Sequence, residues 1–149
     1  MPKPTETSST PRGLTAYRSS EELLSYAAGV IDGEGWIGLG RRTSGGKTGY
    51  HLGIQVAMTS SGPVELLHQL FGGNIRMFQP RIPHHKVQTV WALGTRLCVA
   101  ECLAELDGRL IAKAELAQLA LKYLAAVETY QRDPALREFY YNRFKELNK

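Results

Sequence analysis

Hydrophobic and polar positions along the chain change period several times, and each change marks an element. A first helix opens at a capping box, Ser19 with Glu22 three residues on, and runs to about Ile31. From Trp36 to Arg42, apolar residues alternate with glycine or charge, which predicts a strand. Residues 43 to 49, Thr-Ser-Gly-Gly-Lys-Thr-Gly, read as a flexible turn. A second strand covers Tyr50 to Thr59, with Leu52, Ile54 and Val56 on one face and His51, Gly53 and Gln55 on the other.

Ser60 or Ser61 then caps a helix that carries Pro63 in its first turn and Leu66, Leu67 and Leu70 as its apolar stripe. Gly72-Gly73 ends it, and a second hairpin follows: Asn74 to Gln79, a loop over 80–85, and Lys86 to Leu93. In the later strand Val87, Thr89, Trp91 and Leu93 alternate with Lys86, Gln88, Val90 and Ala92. Three helices finish the chain near 95–107, 111–130 and 134–147, the last capped by Asp133 before Pro134. The order α-β-β-α-β-β-α plus terminal helices predicts an α+β fold, an antiparallel sheet backed by helices with one face open. That domain spans 19–149. Residues 1–18 are Ser-, Thr- and Pro-rich and read as a mobile tail. Lys3, Arg12 and Arg18 against Glu6 are compatible with an organelle-targeting segment, although no amphipathic period supports one.

Composition narrows the class. The chain has 149 residues and 43% hydrophobic positions, enough for one domain with a real core. Its two cysteines, Cys98 and Cys102, share a helical face and exclude a disulfide framework, which fits a reducing compartment. No apolar run spans a bilayer and no secretory signal is visible, so an intracellular protein is expected, in a bacterial or phage cytoplasm or an organelle. The net charge is only +4, but between Trp36 and Leu93 six bases face one acid, while the remainder is −1. The basic middle is a candidate nucleic-acid surface or a solvated face. On the open sheet face, Arg42, His51, Gln55, Arg76, Lys86 and Gln88 are side chains that hydrogen-bond base edges and phosphates.

Several familiar motifs fail on context. Gly33-Glu34-Gly35-Trp36-Ile37-Gly38 spells G-x-G-x-x-G, but it leaves a helix and enters a strand, the reverse of dinucleotide binding. Gly46-Lys47-Thr48 lacks the first glycine of a phosphate loop, because position 41 is Arg41. His84 and His85 have no cysteine at zinc spacing, and no nucleophile elbow is present.

Tyr26 to Gly35 remains. Ser25, Ala28 and Gly29 fall on one side of the first helix, where two backbones could approach closely. Asp32 stands where the helix dipole disfavours a carboxylate, and Gly33 and Gly35 would let Glu34 leave the helix. One reading of this end is a buried helix with a glycine cap and two solvated acids.

The stretch Ala27-Ala28-Gly29-Val30-Ile31-Asp32-Gly33-Glu34-Gly35 also resembles the LAGLIDADG motif. Ala28, Gly29, Ile31, Asp32 and Gly35 match, while Ala27, Val30, Gly33 and Glu34 replace Leu, Leu, Ala and Asp. With the element order around it, the resemblance covers about residues 20 to 130, and the chain is similar to single-motif LAGLIDADG homing endonucleases. The resemblance implies a saddle-like sheet and a homodimer in which motif helices pack through Ser25, Ala28, Gly29 and Asp32. It implies Glu34 as ligand of Mg²⁺, with Mn²⁺ as a substitute and Ca²⁺ supporting binding without cleavage. It implies Lys113 as the basic catalytic residue and no small-molecule cofactor. The polar residue that closes the second strand in the family falls on Met58 here, a departure: either Gln55, Thr59 or Ser60 substitutes through a shifted register, or the catalytic water network is weaker. DNA contact would come from Arg42, Lys47, His51, Gln55, Arg76, Arg81, Lys86 and Gln88, with Arg42, Lys47 or Arg81 as candidates for phosphate contact only. The implied activity is a staggered double-strand break with 3′ overhangs in a long near-palindromic site, and an intron association. A maturase-like RNA-splicing cofactor or a non-cleaving DNA-binding protein on the same fold is the alternative.

Overall fold

The computed structural model describes residues 19–130 and 133–149, and the expected tail at 1–18 lies outside them. Helix α1 (Ser20–Glu34) starts where Ser19 Oγ accepts the Glu22 N–H at 3.2 Å. It runs three residues beyond the expected Ile31, because the Gly35 N–H still donates to the Ile31 carbonyl. A side chain at Gly35 would collide with that carbonyl, its Cβ only 2.5 Å from the oxygen, so the chain can leave the helix at this angle only with glycine.

Strands β1 (Gly35–Ser44) and β2 (Lys47–Met58) form a hairpin paired from Gly35↔Val56 to Ser44↔Lys47. The expected seven-residue turn is therefore two residues. Gly45 and Gly46 both take positive φ, 59° and 78°, as a type I′ connection requires, and the strands pair to its edge. Helix α2 (Ser61–Phe71) follows Ser60, whose side chain makes no capping bond. Gly72 and Gly73, also at positive φ, turn the chain beneath Trp91, whose Nε1 donates to the Gly72 carbonyl at 2.8 Å.

Strand β3 (Asn74–Phe78) pairs with β4 (Gln88–Leu93), and β4 pairs with β2, giving the antiparallel order β1-β2-β4-β3. This second hairpin is shorter than its sequence pattern predicts. Pro80 and Pro83 cannot donate to a ladder, pairing stops at Phe78↔Gln88, and Gln79, Lys86 and Val87 lie in the connection. Three helices close the chain: α3 (Arg96–Glu105), α4 (Ala114–Thr129) and α5 (Pro134–Leu147). Over the described residues the fold is a mixed α/β one, a four-stranded open antiparallel sheet with five helices.

The core lies between one sheet face and the helices. Ile37, Leu39, Leu52, Ile54, Val56, Trp91 and Leu93 meet Ala27, Ala28 and Ile31 of α1, with Val99, Tyr123 and Phe144 from the closing helices. Thr89 is the one buried polar side chain among the described residues, and its hydroxyl donates to Met77 Sδ at 3.7 Å. Helix α5 docks on β1 through Glu138, which accepts from Arg41 and from the Tyr50 hydroxyl, while the Arg41 guanidinium sits 4.4 Å from the Tyr141 ring centre. Asn148 Nδ2 donates to the Ile37 carbonyl at 3.0 Å. No helix among the described residues is long and apolar enough to cross a membrane.

Candidate nucleic-acid interface and acidic site

Strand register decides which side chains leave the core. The open face carries Trp36, Gly38, Gly40 and Arg42 from β1, and Lys47, Gly49, His51, Gly53, Gln55 and Ala57 from β2. Gln88, Val90 and Ala92 of β4 and Asn74, Arg76 and Phe78 of β3 complete it. Of the side chains expected there, Arg42, Lys47, His51, Gln55, Arg76 and Gln88 all share this face. Arg81 and Lys86 do not stand on strands. Lys86 lines a shallow depression at the hairpin tip with Thr59, Phe78, Pro80, His84, His85 and Gln88. Val90 is only 2% exposed although it points outward, because β4 is flanked on both sides.

Arg41 is the counterexample within the basic middle. It faces the helices, and Glu138 takes its charge. The four strands together carry four bases and no acid, three of the bases on the open face. Field lines from these groups emerge on the sheet side with no carboxylate among them to cancel them.

At one end of this face α1 terminates. Asp32 turns inward to the turn before α4: its Oδ2 accepts the N–H groups of Ile111 (2.7 Å) and Ala112 (3.1 Å), and its Oδ1 accepts that of Lys113 (3.0 Å). Lys113 Nζ donates in return to the Asp32 carbonyl at 2.6 Å. Partial burial raises the Asp32 pKa, but the three backbone N–H groups and the Lys113 charge outweigh it and hold the carboxyl below its ordinary range. At the other end of α1, Glu21 accepts both guanidinium arms of Arg109, at 2.7 and 3.0 Å. The segment from Arg109 to Lys113 thus holds α1 at both ends.

Glu34 differs from Asp32. It is the last residue of α1, it is exposed, and among the described residues it enters no hydrogen bond or ion pair. Lys113 is anchored two residues before it, on the helix carbonyl end where a cation is favoured. Gln55 occupies the first open-face row beyond Glu34, in register with Trp36. Met58 lies in register with Thr89 on the helix-facing side and packs against the core, so it presents no polar atom to the open face.

The expected small-residue stripe of α1 is altered. Ala28 is 1% exposed and belongs to its own chain's core, and Asp32 is occupied by the 111–113 turn. Ser25, Gly29 and Gly33 are exposed at successive turns, and a Cβ on either glycine would meet nothing within 4 Å. Among the described residues no three His, Cys, Asp or Glu side chains gather as a metal cluster. Sequence reasoning missed Trp36 as a member of the open face; its alternation with the inward-facing Ile37 was the available signal, while its pairing with Gln55 follows from the register of the two-residue turn.

By sequence, the chain matches no family model and no curated protein. By structure, it is similar to LAGLIDADG homing endonucleases. The archaeal intron-encoded homing endonuclease I-Vdi141I complexed with DNA superposes with a TM-score of 0.72 and 9% identity, over 88% of this chain and 87% of that one. The homing endonuclease I-CvuI, bound to the I-CreI target with magnesium and the DNA not cleaved, gives 0.70 and 16% identity over 83% and 80%. I-TnaI gives 0.63 and 14% over 83% and 84%. At these identities the likeness defines the fold: the chain has the architecture of a LAGLIDADG homing endonuclease.

Proposed function

We propose that this chain is a homodimeric, metal-dependent, site-specific DNA endonuclease that cuts both strands of a long near-palindromic duplex and leaves 3′ overhangs. The observation that carries it is Glu34: an exposed carboxylate with no partner among the described residues, at the end of a helix clamped at both ends, beside a basic sheet whose strands carry no acid. A pure binder gains nothing from a carboxylate held toward phosphates.

The donor set fits Mg²⁺. That ion takes one or two protein carboxylates and completes its octahedron with water and phosphate oxygens, which suits a single Glu34 per chain where no three His, Cys, Asp or Glu side chains gather among the described residues. When bound, the cation stabilises developing phosphate charge and lowers the pKa of the attacking water. Mn²⁺ would substitute, and Ca²⁺ would support binding alone. Glu34 would hold the cation. Lys113, with its ammonium fixed on the Asp32 carbonyl, supplies positive charge at the same end of α1. Gln55 is the polar side chain placed to orient water. The exposed Ser25-Gly29-Gly33 stripe is the contact through which a second copy brings its own Glu34.

Replacing Glu34 by Gln should abolish cleavage and leave Ca²⁺-supported duplex binding intact; undiminished cleavage would overturn the ligand assignment. Met58 on the core side favours a second reading, a splicing cofactor or a DNA-binding protein without cleavage, because the family's closing polar residue is absent. Cleavage selection from a randomised duplex pool with Mg²⁺ separates the two: an enriched cut site supports the nuclease, and none from a folded dimer supports the binder.

A further inference from the structure

The open face is not uniformly polar. On the β1–β2 half, four positions are glycine, Gly38, Gly40, Gly49 and Gly53, so the backbone there is bare. Trp36 fills part of that space. A Cβ on Gly38 would lie 2.3 Å from Trp36 Cζ2 and 2.6 Å from Cε2, and one on Gly53 would lie 3.7 Å from Cζ3. Gly38 and Gly53 are in register across the hairpin, so the six-membered ring of the indole lies across the pair. Yet Trp36 stays 41% exposed, on the face that carries Arg42, Lys47 and Arg76 and in the row next to Glu34. An indole that served only the core would stand on the other side of the strand, with Ile37 and Leu39.

We infer that Trp36 is a specificity-determining contact to duplex DNA: an apolar plate, seated on Gly38 and Gly53, that reads the thymine methyl of an A·T pair near the cleavage position. Apolar contact with that methyl is a recognised mode of base readout in the groove and needs no hydrogen bond. The glycine pair fixes the ring before DNA arrives, so little side-chain freedom is lost on binding. The surrounding bases supply charge complementarity to phosphate, and the plate supplies the discrimination that charge cannot. The inference rests on the proposed duplex-DNA function and extends it to a residue outside the polar set.

The chain reports on itself. It has two tryptophans, and Trp91 is fully buried, so a DNA-induced emission change belongs to Trp36. The probe is the duplex enriched from a randomised pool by binding in Ca²⁺, with binding followed separately by anisotropy of a label on the DNA. The wild type should bind with a change in tryptophan emission. Trp36→Ala should bind about tenfold more weakly, and repeating the selection with it should lose an A·T preference at one position in each half-site. Gly38→Ala removes no contact atom but displaces the ring, so it should reproduce both losses and shift the emission of the free protein. Added to Trp36→Ala, it should have no further effect on binding, because the ring it displaces is gone. Failure of the wild type to enrich any duplex would overturn the DNA reading itself. Binding by the wild type with unchanged emission, or a Trp36→Ala variant of equal affinity and base preference, would overturn the inference about Trp36 alone.

Discussion

Asp32 sits at the carbonyl end of α1, where the helix dipole opposes a negative charge, and three backbone N–H groups from the 111–113 turn reverse that disadvantage. Its motif neighbour Glu34 has no such partners among the described residues. The two acids, separated by one glycine, thus have different surroundings; the resemblance separates them as ligand and helix-end residue, but the partners of Asp32 lie about eighty positions away and are not legible in the motif. The folded pKa of Asp32 lies below its unfolded value, so its contribution is fully present above the ordinary carboxylate range and is lost as pH falls through the folded pKa. Asp32→Ala should therefore cost about 2 kcal/mol at neutral pH, read from urea unfolding, and the gap from wild type should narrow on acidification. A gap that widens at low pH would refute the ionised clasp. Cys102 is inert by comparison: burial, then the nearby Glu105, push its thiol up to about 12, so alkylating agents should leave it unmodified in the folded protein.

At the scale of elements, period two marked the first, second and fourth strands and the apolar stripe marked the second helix, because each of these has one face on the core, whereas the others were placed by caps, glycines and position. Leu52, Ile54 and Val56 are buried while His51, Gly53 and Gln55 are not fully so, as alternation requires. The ends were harder to read. Thr43, Lys47 and Thr48 read as turn residues by type, yet Thr43 and Thr48 pair and their hydroxyls lie 3.1 Å apart, because Gly45-Gly46 alone can make the reversal. Lys86 reads as strand by alternation, but the prolines before it break the ladder. Replacing Gly45 and Gly46 together by alanine should cost about 2 kcal/mol, the penalty of left-handed backbone for residues with a Cβ, whereas Asn-Gly at the same positions should be near neutral. Denaturant midpoints of the two variants decide this, and equal midpoints would show that the turn is not type I′ in solution. Of the proposed site, Glu34 is singled out by the sequence because it stands at the acidic position of the motif-like stretch that closes with Gly35. Trp36 is not, because its meaning depends on two glycines, one of them on another strand.

For the whole molecule, the consequence of the fold is that charge is sorted by side. Arg41 and Arg42 are adjacent and chemically identical, but Arg41 is consumed by Glu138 and the Tyr141 ring, while Arg42 stands on the open face. Duplex binding releases roughly one counterion per phosphate neutralised, so the slope of log affinity against log salt counts the bases in contact. In a homodimer every substitution acts twice. Arg42→Ala should lower the magnitude of that slope by about 2 with little effect on unfolding. Arg41→Ala should leave the slope unchanged and instead weaken the docking of α5 on β1, seen as a lower unfolding midpoint. Lys47→Ala and Arg76→Ala should follow Arg42. If Arg41 and Arg42 proved interchangeable in the salt titration, the sheet would not be the surface that meets DNA. A slope change of about 1 for Arg42→Ala, with the protein monomeric on the duplex, would retain the sheet as the binding face and remove the second copy.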